Sequence, residues 1–411
     1  MKDFFIRALK WKLKKLAQWT IVRYRPGIVG ITGSVGKTST KRAVAAVLGS
    51  EREVRASGGN FSNELGLPLT ILGSWDRVGG IFFWVRVFLA TIFRLIVKSH
   101  YPEILVLEYG VDRPGDMKYL LEIARPNVSV ITAVGEVPVH VEFFNGPEEV
   151  AREKGRIIEC LPTAGYAILN ADDKVAAGLR PRTRAQIMTY GTGKDAAVRV
   201  SNIENKSENG LPIGVSFKIE YGGSFVPVRL DGVFGKAQGY AAGAATCVGL
   251  IFGLNLVKIS EALNAHYLPA PHRMELVPGV KYTHIIDDSY NASPLSMRAA
   301  LETVKEIPAK RKIGVLGDML EIGRYAMEEH EKIGALAASV LDQLVCVGPR
   351  AKFIAEGARK AGFPRKNIQM FDVVEDARSP VQSLIKKGDL ILVKASREIH
   401  LDEVIEEIRA F

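Results

Sequence analysis

The chain has 411 residues, 47% of them apolar and 24% charged, a balance that excludes a disordered chain and calls for two or three folded domains. Its formal charge of +10 does not describe a nucleic-acid surface: the first 25 residues hold eight Lys or Arg against Asp3 alone, 8 − 1 = +7, and the remainder is close to neutral. Cys160, Cys247 and Cys346 are far apart and lack Cys-x-x-Cys spacing, so they read as core thiols of a reducing cytoplasm.

Residues 1–25 predict a basic amphipathic helix. Phe5, Leu9, Leu13 and Leu16 recur at helical spacing, with Arg7, Lys10 and Lys14 on the other side. The segment has neither the uninterrupted apolar run nor the cleavage site of a secretory signal. Such a helix either lies on an anionic membrane surface or a partner protein, or packs on its own domain.

Next, strand-like Gly27 to Thr32 enters the turn Gly33-Ser34-Val35-Gly36-Lys37-Thr38, and an Ala/Val-rich helical pattern runs on to Leu48. Strand, glycine turn and helix are the setting of a phosphate-binding loop. The generic pattern would place glycine at position 31, where this chain has Ile31, and the first loop glycine is Gly33. The physics is unchanged. Gly33 and Gly36 let backbone N–H groups, with those of Ser34, Val35 and Ser39, converge on phosphate oxygens; Lys37 adds a point charge and Thr38 a hydroxyl for Mg²⁺.

The stretch from Val78 to Val97 is nearly all apolar but contains Arg86 and Arg94, which makes it marginal as a membrane span and better read as a buried or interfacial helix. Apolar runs Ile104–Glu108 and Val128–Thr132 predict buried parallel strands, whose carboxyl ends are the places for functional groups. Short β-like runs broken by glycines fill Ala196 to Phe234, and an alanine-rich helix follows from Tyr240 to Gly253. Pro269-Ala270-Pro271 reads as a linker. After it, strand-like Thr283–Ile286, Lys312–Leu316, Gln343–Val347 and Leu390–Val393 alternate with helical patterns.

The expected fold class is therefore α/β. A central ATP-binding domain with a parallel sheet and a small added β-rich unit occupies 26–268, and a Rossmann-like α/β domain occupies 269–411.

The loop Thr32-Gly33-Ser34-Val35-Gly36-Lys37-Thr38-Ser39 resembles that of the Mur ligases, cytoplasmic enzymes that extend the peptidoglycan peptide, and the likeness accumulates along the chain. Asn60-Phe61-Ser62-Asn63-Glu64-Leu65-Gly66, Leu107-Glu108-Tyr109-Gly110 and Pro114-Gly115-Asp116 are similar to segments of the branch that adds D-alanyl-D-alanine. So are Asp287-Asp288-Ser289-Tyr290-Asn291, Leu316-Gly317-Asp318-Met319-Leu320-Glu321 with His330, and Lys394-Ala395-Ser396-Arg397.

That resemblance implies ATP-dependent amide-bond formation through an acyl phosphate, with a muropeptide as carboxylate donor, D-alanyl-D-alanine or a similar amine, and no nucleic acid. It places Mg²⁺ near Thr38 and Glu108, a second metal near His140, and a carbamylated Lys154 fourteen residues beyond His140. It further implies Arg273 on the nucleotide phosphates, Asp287 and Asn291 on the nucleotide, and Asn60, Asn63, Asp318, His330 and Arg397 near the substrates.

Two departures stand out. Only about 30 residues precede the loop, so the uridine-nucleotide-binding domain of full-length members is expected to be absent, and the apolar 78–97 segment and basic helix raise a membrane-held or partner-held peptide in its place. Ala237 and Ala241 stand where the family usually has histidine and asparagine beside the adenine. A ligase for another amino acid, of the folylpolyglutamate or poly-amino-acid kind, and a phosphate-loop regulatory or transport ATPase remain as other readings; the latter has no use for His140 and Lys154.

Overall fold

The computed structural model describes residues 2–410 apart from 60, 76, 77, 98 and 209, with side chains from residue 6 onward. Helix α1 (Lys2–Tyr24) leads into β1 (Gly27–Thr32), α2 (Lys37–Gly49), β2 (Val54–Ala56), α3 (Gly66–Leu72) and α4 (Ile81–Ile96). Strand β3 (Ile104–Glu108), α5 (Asp116–Ile123), β4 (Val128–Ile131), α6 (Pro147–Glu159), β5 (Tyr166–Asn170), the single turn α7 (Lys174–Ala177) and β6 (Gln186–Gly191) continue the alternation. Then come β7 (Val198–Glu208), β8 (Leu211–Tyr221) and β9 (Ser224–Asp231), followed by α8 (Lys236–Ile251) and α9 (Leu256–His266).

These strands form one sheet in the order β2-β3-β1-β4-β5-β6-β7-β8-β9. It is parallel as far as β7 and antiparallel across β7, β8 and β9. The composition explains the split. Strands β3 and β4 are buried at every position and, apart from Ser129 and the terminal Glu108, apolar, as a sheet covered on both faces requires. Strand β9 alternates exposed and buried residues, the mark of a strand with one wet face. One face of the sheet packs on the α2, α8 and α9 side, and the other on α1, α3 and α5.

The second unit holds β10 (Glu275–Gly279), β11 (Thr283–Asp287), α10 (Pro294–Glu306), β12 (Lys312–Gly317), α11 (Ala326–Ala338) and β13 (Gln343–Val347). It ends with α12 (Lys352–Lys360), β14 (Ile368–Phe371), α13 (Val374–Leu384), β15 (Leu390–Lys394) and α14 (Asp402–Ile408). Its sheet runs β10-β11-β15-β12-β13-β14, parallel except for β10. Helix α10 starts on a capping box, with the Ser293 hydroxyl taking the Ser296 N–H and Pro294 in the first turn, which fixes the loop between β11 and α10. The α/β class expected from sequence is the observed one.

Two N-terminal expectations are resolved. Leu13, Leu16 and Ala17 of α1 are buried in the core beside α3 and α5, so the helix packs on its own domain. The stretch from 78 to 97 is not a buried helix: within α4 only Val87 and Thr91 are buried, and most of its large apolar side chains face outward.

Candidate active site

The carboxyl ends of β1 and β3 in the first unit and of β11 and β15 in the second face one cleft of about 370 Å³. On the first side, the turn after β1 depends on its glycines. Gly33 has φ 145° and Gly36 φ 90°, and a Cβ on Gly33 would stand 2.0 Å from Thr132 Oγ1. The Ser34 and Val35 N–H groups, expected from the sequence to meet phosphate oxygens, instead donate to Ala133 O at 2.8 and 3.0 Å, because the loop is pinned to the segment after β4. Helix α2 begins at Gly36 without a side-chain cap, so its first N–H groups remain available to an anion. Lys37 lines the cleft and donates to Gly33 O at 2.8 Å.

Behind this loop lies a buried charged group. Glu108, at the end of β3, has its carboxylate 3.3 Å from the Thr38 hydroxyl and 3.3 Å from Lys41 Nζ. Lys41 also donates to Ser57 Oγ at 2.8 Å and Gly59 O at 2.9 Å, and its burial pushes its pKa down. On α6, Glu153 accepts the Gly115 and Met117 N–H groups at 3.0 and 3.1 Å, clamping that helix to the start of α5. The neighbouring Lys154 is thereby held 1% exposed, its Nζ 3.3 Å from Gly33 O. Burial, then the charge of Lys37, lowers its pKa to about 7.

His140 joins the two sides. Its backbone is left-handed, with φ 70°. Nε2 is 3.2 Å from Asp112 Oδ1, while Nδ1 lies 2.7 Å from Glu321 Oε2 of the second unit without the alignment of a hydrogen bond. Arg273, on the segment that enters β10, donates to Thr38 Oγ1 at 3.2 Å and stacks 4.2 Å over Tyr290. Lys394, at the end of β15, pairs with Asp288 at 2.7 Å and donates to Asn291 O at 2.7 Å.

A model of the Mur ligase middle domain matches residues 31–78 and 90–248, and one described as Mur ligase, glutamate ligase domain, matches 272–397. The chain belongs to the Mur ligase family. The UDP-N-acetylmuramoyl-tripeptide–D-alanyl-D-alanine ligase of Bacillus subtilis is 32% identical over 400 residues, 96% of this chain and 79% of that protein. The solved structure of MurF ligase from Thermotoga maritima in complex with ADP superposes with a TM-score of 0.79 at 28% identity, covering 97% of this chain and 83% of that one. MurF from Acinetobacter baumannii gives 0.79 at 25% identity, covering 97% and 80%.

Against this Mur ligase frame the sequence candidates divide. Ser34, Val35, Gly36, Lys37, Thr38, Ser39, Asn63, Glu108, His140, Arg273, Asn291 and Arg397 all line the cleft, and Lys154 reaches the loop from beneath. Asn60 lies outside the described residues. Asn63 uses its Oδ1 to accept the Gly66 N–H at 2.9 Å at the start of α3.

Three candidates stand behind the cleft. Asp287 accepts from Ser289 N–H and hydroxyl at 3.0 and 2.7 Å and meets His272 Nδ1 at 2.7 Å. Asp318 accepts the Arg350 and Ala351 N–H groups, and His330 accepts the Met319 N–H at 2.9 Å. Their polar atoms hold loops, and none of the three lines the cleft.

The sequence reading did not select Lys41, Asp112, Asp288, Glu321 or Lys394. Lys41 carried a signal, a lysine on the otherwise Ala/Val-rich face of α2, and Asp288, Glu321 and Lys394 sat inside quoted motifs. Nothing local marked Asp112.

The residues present fit a metal nucleotide. Ser34 Oγ is buried without a hydrogen-bond partner among the described residues, in the loop where phosphate oxygens would lie. Among the described residues no cluster of three or more His, Cys, Asp or Glu is assembled for a metal. Mg²⁺ takes one or two protein oxygens and completes its shell with water and phosphate; the adjacent Thr38 hydroxyl and Glu108 carboxylate could supply such a pair.

Proposed function

We propose that the chain is an ATP-dependent ligase that adds D-alanyl-D-alanine to the terminal carboxylate of a muramoyl tripeptide in peptidoglycan synthesis. The observation that carries this reading is the meeting, across one cleft, of the phosphate loop and Lys154 with Arg273 and Asn291, and with His140 bridging to Glu321. The γ-phosphoryl group of ATP passes to a carboxylate oxygen and ADP leaves. The amine lone pair then attacks the acyl carbon, phosphate departs with the C–O bonding pair, and the amine nitrogen loses a proton.

The loop Gly33–Ser39 and Lys37 would cradle the phosphates, with Arg273 countering the charge that spreads in the transition state. Thr38 and Glu108 would hold Mg²⁺, and His140 with a carbamylated Lys154 a second ion; the metal supplies charge neutralisation between two anionic reactants. Carbamylation needs a neutral amine, whose nitrogen bonds to the carbon of CO₂ and loses a proton. The enclosure of Lys154, with a pKa near 7, supports it, because the product replaces a cation facing Lys37 with an anion. Asn291 would contact the nucleotide directly and Asp287 through the loop it holds. Asn63 and Arg397 would face the peptide and amine.

Residues 26–268 form the ATP-binding domain of this reading and 269–411 the domain that closes on it. Its place is the cytoplasm, including the inner face of the plasma membrane. The outer side of α1 within residues 1–25 is a surface for a membrane or partner contact.

Phosphate release from ATP, measured with D-alanyl-D-alanine and muramoyl tripeptide added singly and together, tests the reaction. Release that needs both, with a pentapeptide product by mass, is the expected result. ATP turnover independent of any amine or peptide would overturn it.

A further inference from the structure

Helix α4 carries seven large apolar side chains that no part of the described chain covers. Ile81, Phe82, Val85, Leu89, Ile92, Phe93 and Ile96 are between 45% and 86% exposed. At 100° per residue they fall within an arc of about 120°, while buried Val87 and Thr91 lie opposite. The face is therefore a continuous strip about 24 Å long, set by 16 residues at 1.5 Å each. Scattered exposed apolar residues need no explanation, but an unbroken strip does.

What flanks the strip points to its partner. Helix α1 packs against α4, and the Tyr24 hydroxyl donates to Arg94 O at 2.8 Å. Two of the α1 lysines turn inward, Lys10 to Glu64 and Lys14 to Glu122. The outer face holds Trp11, Lys12, Lys15, Trp19, Val22 and Arg23, again within an arc of about 120°. Trp11, Trp19 and Val22 are each more than half exposed. Helix α4 has no acidic residue; its Arg86 borders the strip, while Arg94 turns inward to donate to Leu72 O.

Tryptophans among lysines and arginines, beside a strip of Phe, Leu and Ile, are the composition of a protein surface lying in the headgroup region of a bilayer. An excess of positive charge there complements anionic lipid. No helix among the described residues is long and apolar enough to cross a membrane.

We propose that α4, with the outer face of α1, docks this protein on an anionic lipid surface, the α4 strip entering the acyl boundary and the α1 cations resting on headgroups. This goes beyond the ligase reading and does not depend on it.

The test is sedimentation of the full chain with phosphatidylcholine vesicles, with and without phosphatidylglycerol, in the absence of substrates. The expected result is binding that requires the anionic lipid and falls as salt rises. A Phe82→Ser/Leu89→Ser variant is expected to lower the partition coefficient at least about tenfold, since each side chain loses its burial in lipid. Lys12→Glu/Arg23→Glu is expected to weaken binding to anionic vesicles severalfold. Neither pair touches the core, so melting temperature and ATP turnover should be unchanged, which separates docking from folding. Failure to bind anionic vesicles, or binding undiminished in the Phe82/Leu89 variant, overturns the proposal. So does a concentration-dependent dimer, abolished by the same variant, in a protein that ignores vesicles, because the strip then belongs to a second copy.

Discussion

On the first side of the cleft buried Lys154 reaches Gly33 O and feels the charge of Lys37, while buried Glu108 meets Thr38 and Lys41; on the second, Asp287, Asp318 and His330 are equally buried but bond to the loops around them. Burial alone therefore does not mark a functional group. The difference lies in what satisfies the polar atoms. A lysine facing another lysine in low dielectric is held at a cost that a metal nucleotide or a carbamate would offset, whereas an aspartate that accepts two backbone N–H groups is already satisfied. Substitutions on the first side should then affect turnover with little effect on folding, and those on the second should do the reverse.

The largest effect is expected at Lys37. Lys37→Ala removes the point charge that the proposed reaction would set against the phosphates, and ligation should fall about 10³-fold to 10⁴-fold with the melting temperature retained. A variant that ligates within a few fold of the parent would break the contrast.

Lys154→Ala should lower ligation about 10²-fold to 10³-fold, the range for removing one group positioned for transition-state charge. Removing a buried amine leaves stability unchanged or raised near neutral pH. In the parent, the pKa near 7 sets the sign of the pH dependence: below it the amine holds a proton and cannot take up CO₂, above it the neutral form can. Added bicarbonate should therefore stimulate turnover more at pH 6 than at pH 8. Equal stimulation at both would dismiss the carbamate.

The second side is sharpened by His330. Burial lowers its pKa from 6.5 to about 4, so the folded protein binds fewer protons than the unfolded one between those values. Stability is complete above pH 6.5 and is lost as pH falls toward 4, by on the order of 3 kcal/mol. Urea unfolding of His330→Gln against the parent should show that pH-dependent loss removed, with turnover at pH 8 changed only slightly. A large turnover defect with normal unfolding would place His330 at the chemistry instead.

Legibility in the sequence followed the same division. The mainly apolar runs of β3 and β4 announced buried parallel strands, and the glycine turn announced the bend from β1 into α2, because each signal is local. Motifs flagged the loops of Asp318 and His330 but not that these side chains sit behind the cleft, since that depends on the N–H groups of Arg350 and Ala351 meeting Asp318 and of Met319 meeting His330 after folding. The amphipathic pattern of α1 was visible, yet a periodic apolar stripe fits a membrane and a protein core equally, and only the docking of Leu13 and Leu16 decides.

The smallest expected effect lies where the two sides touch. Glu321 meets His140 at 2.7 Å, and the Glu142 N–H donates to Glu321 O at 3.3 Å, so the turn after Asp318 rests on the loop after β4. Glu321 has φ 59°, a left-handed backbone held by this contact. Glu321→Gln keeps the shape and removes the charge, leaving an amide where a carboxylate met the imidazole. A surface-accessible pair of this kind contributes little to folding, so unfolding should be unchanged. Turnover should fall about threefold to tenfold, more through KM than kcat, because the closed arrangement becomes less populated before substrates bind. Changes confined to kcat would assign Glu321 to the chemistry of the first side rather than to closure of the second upon it.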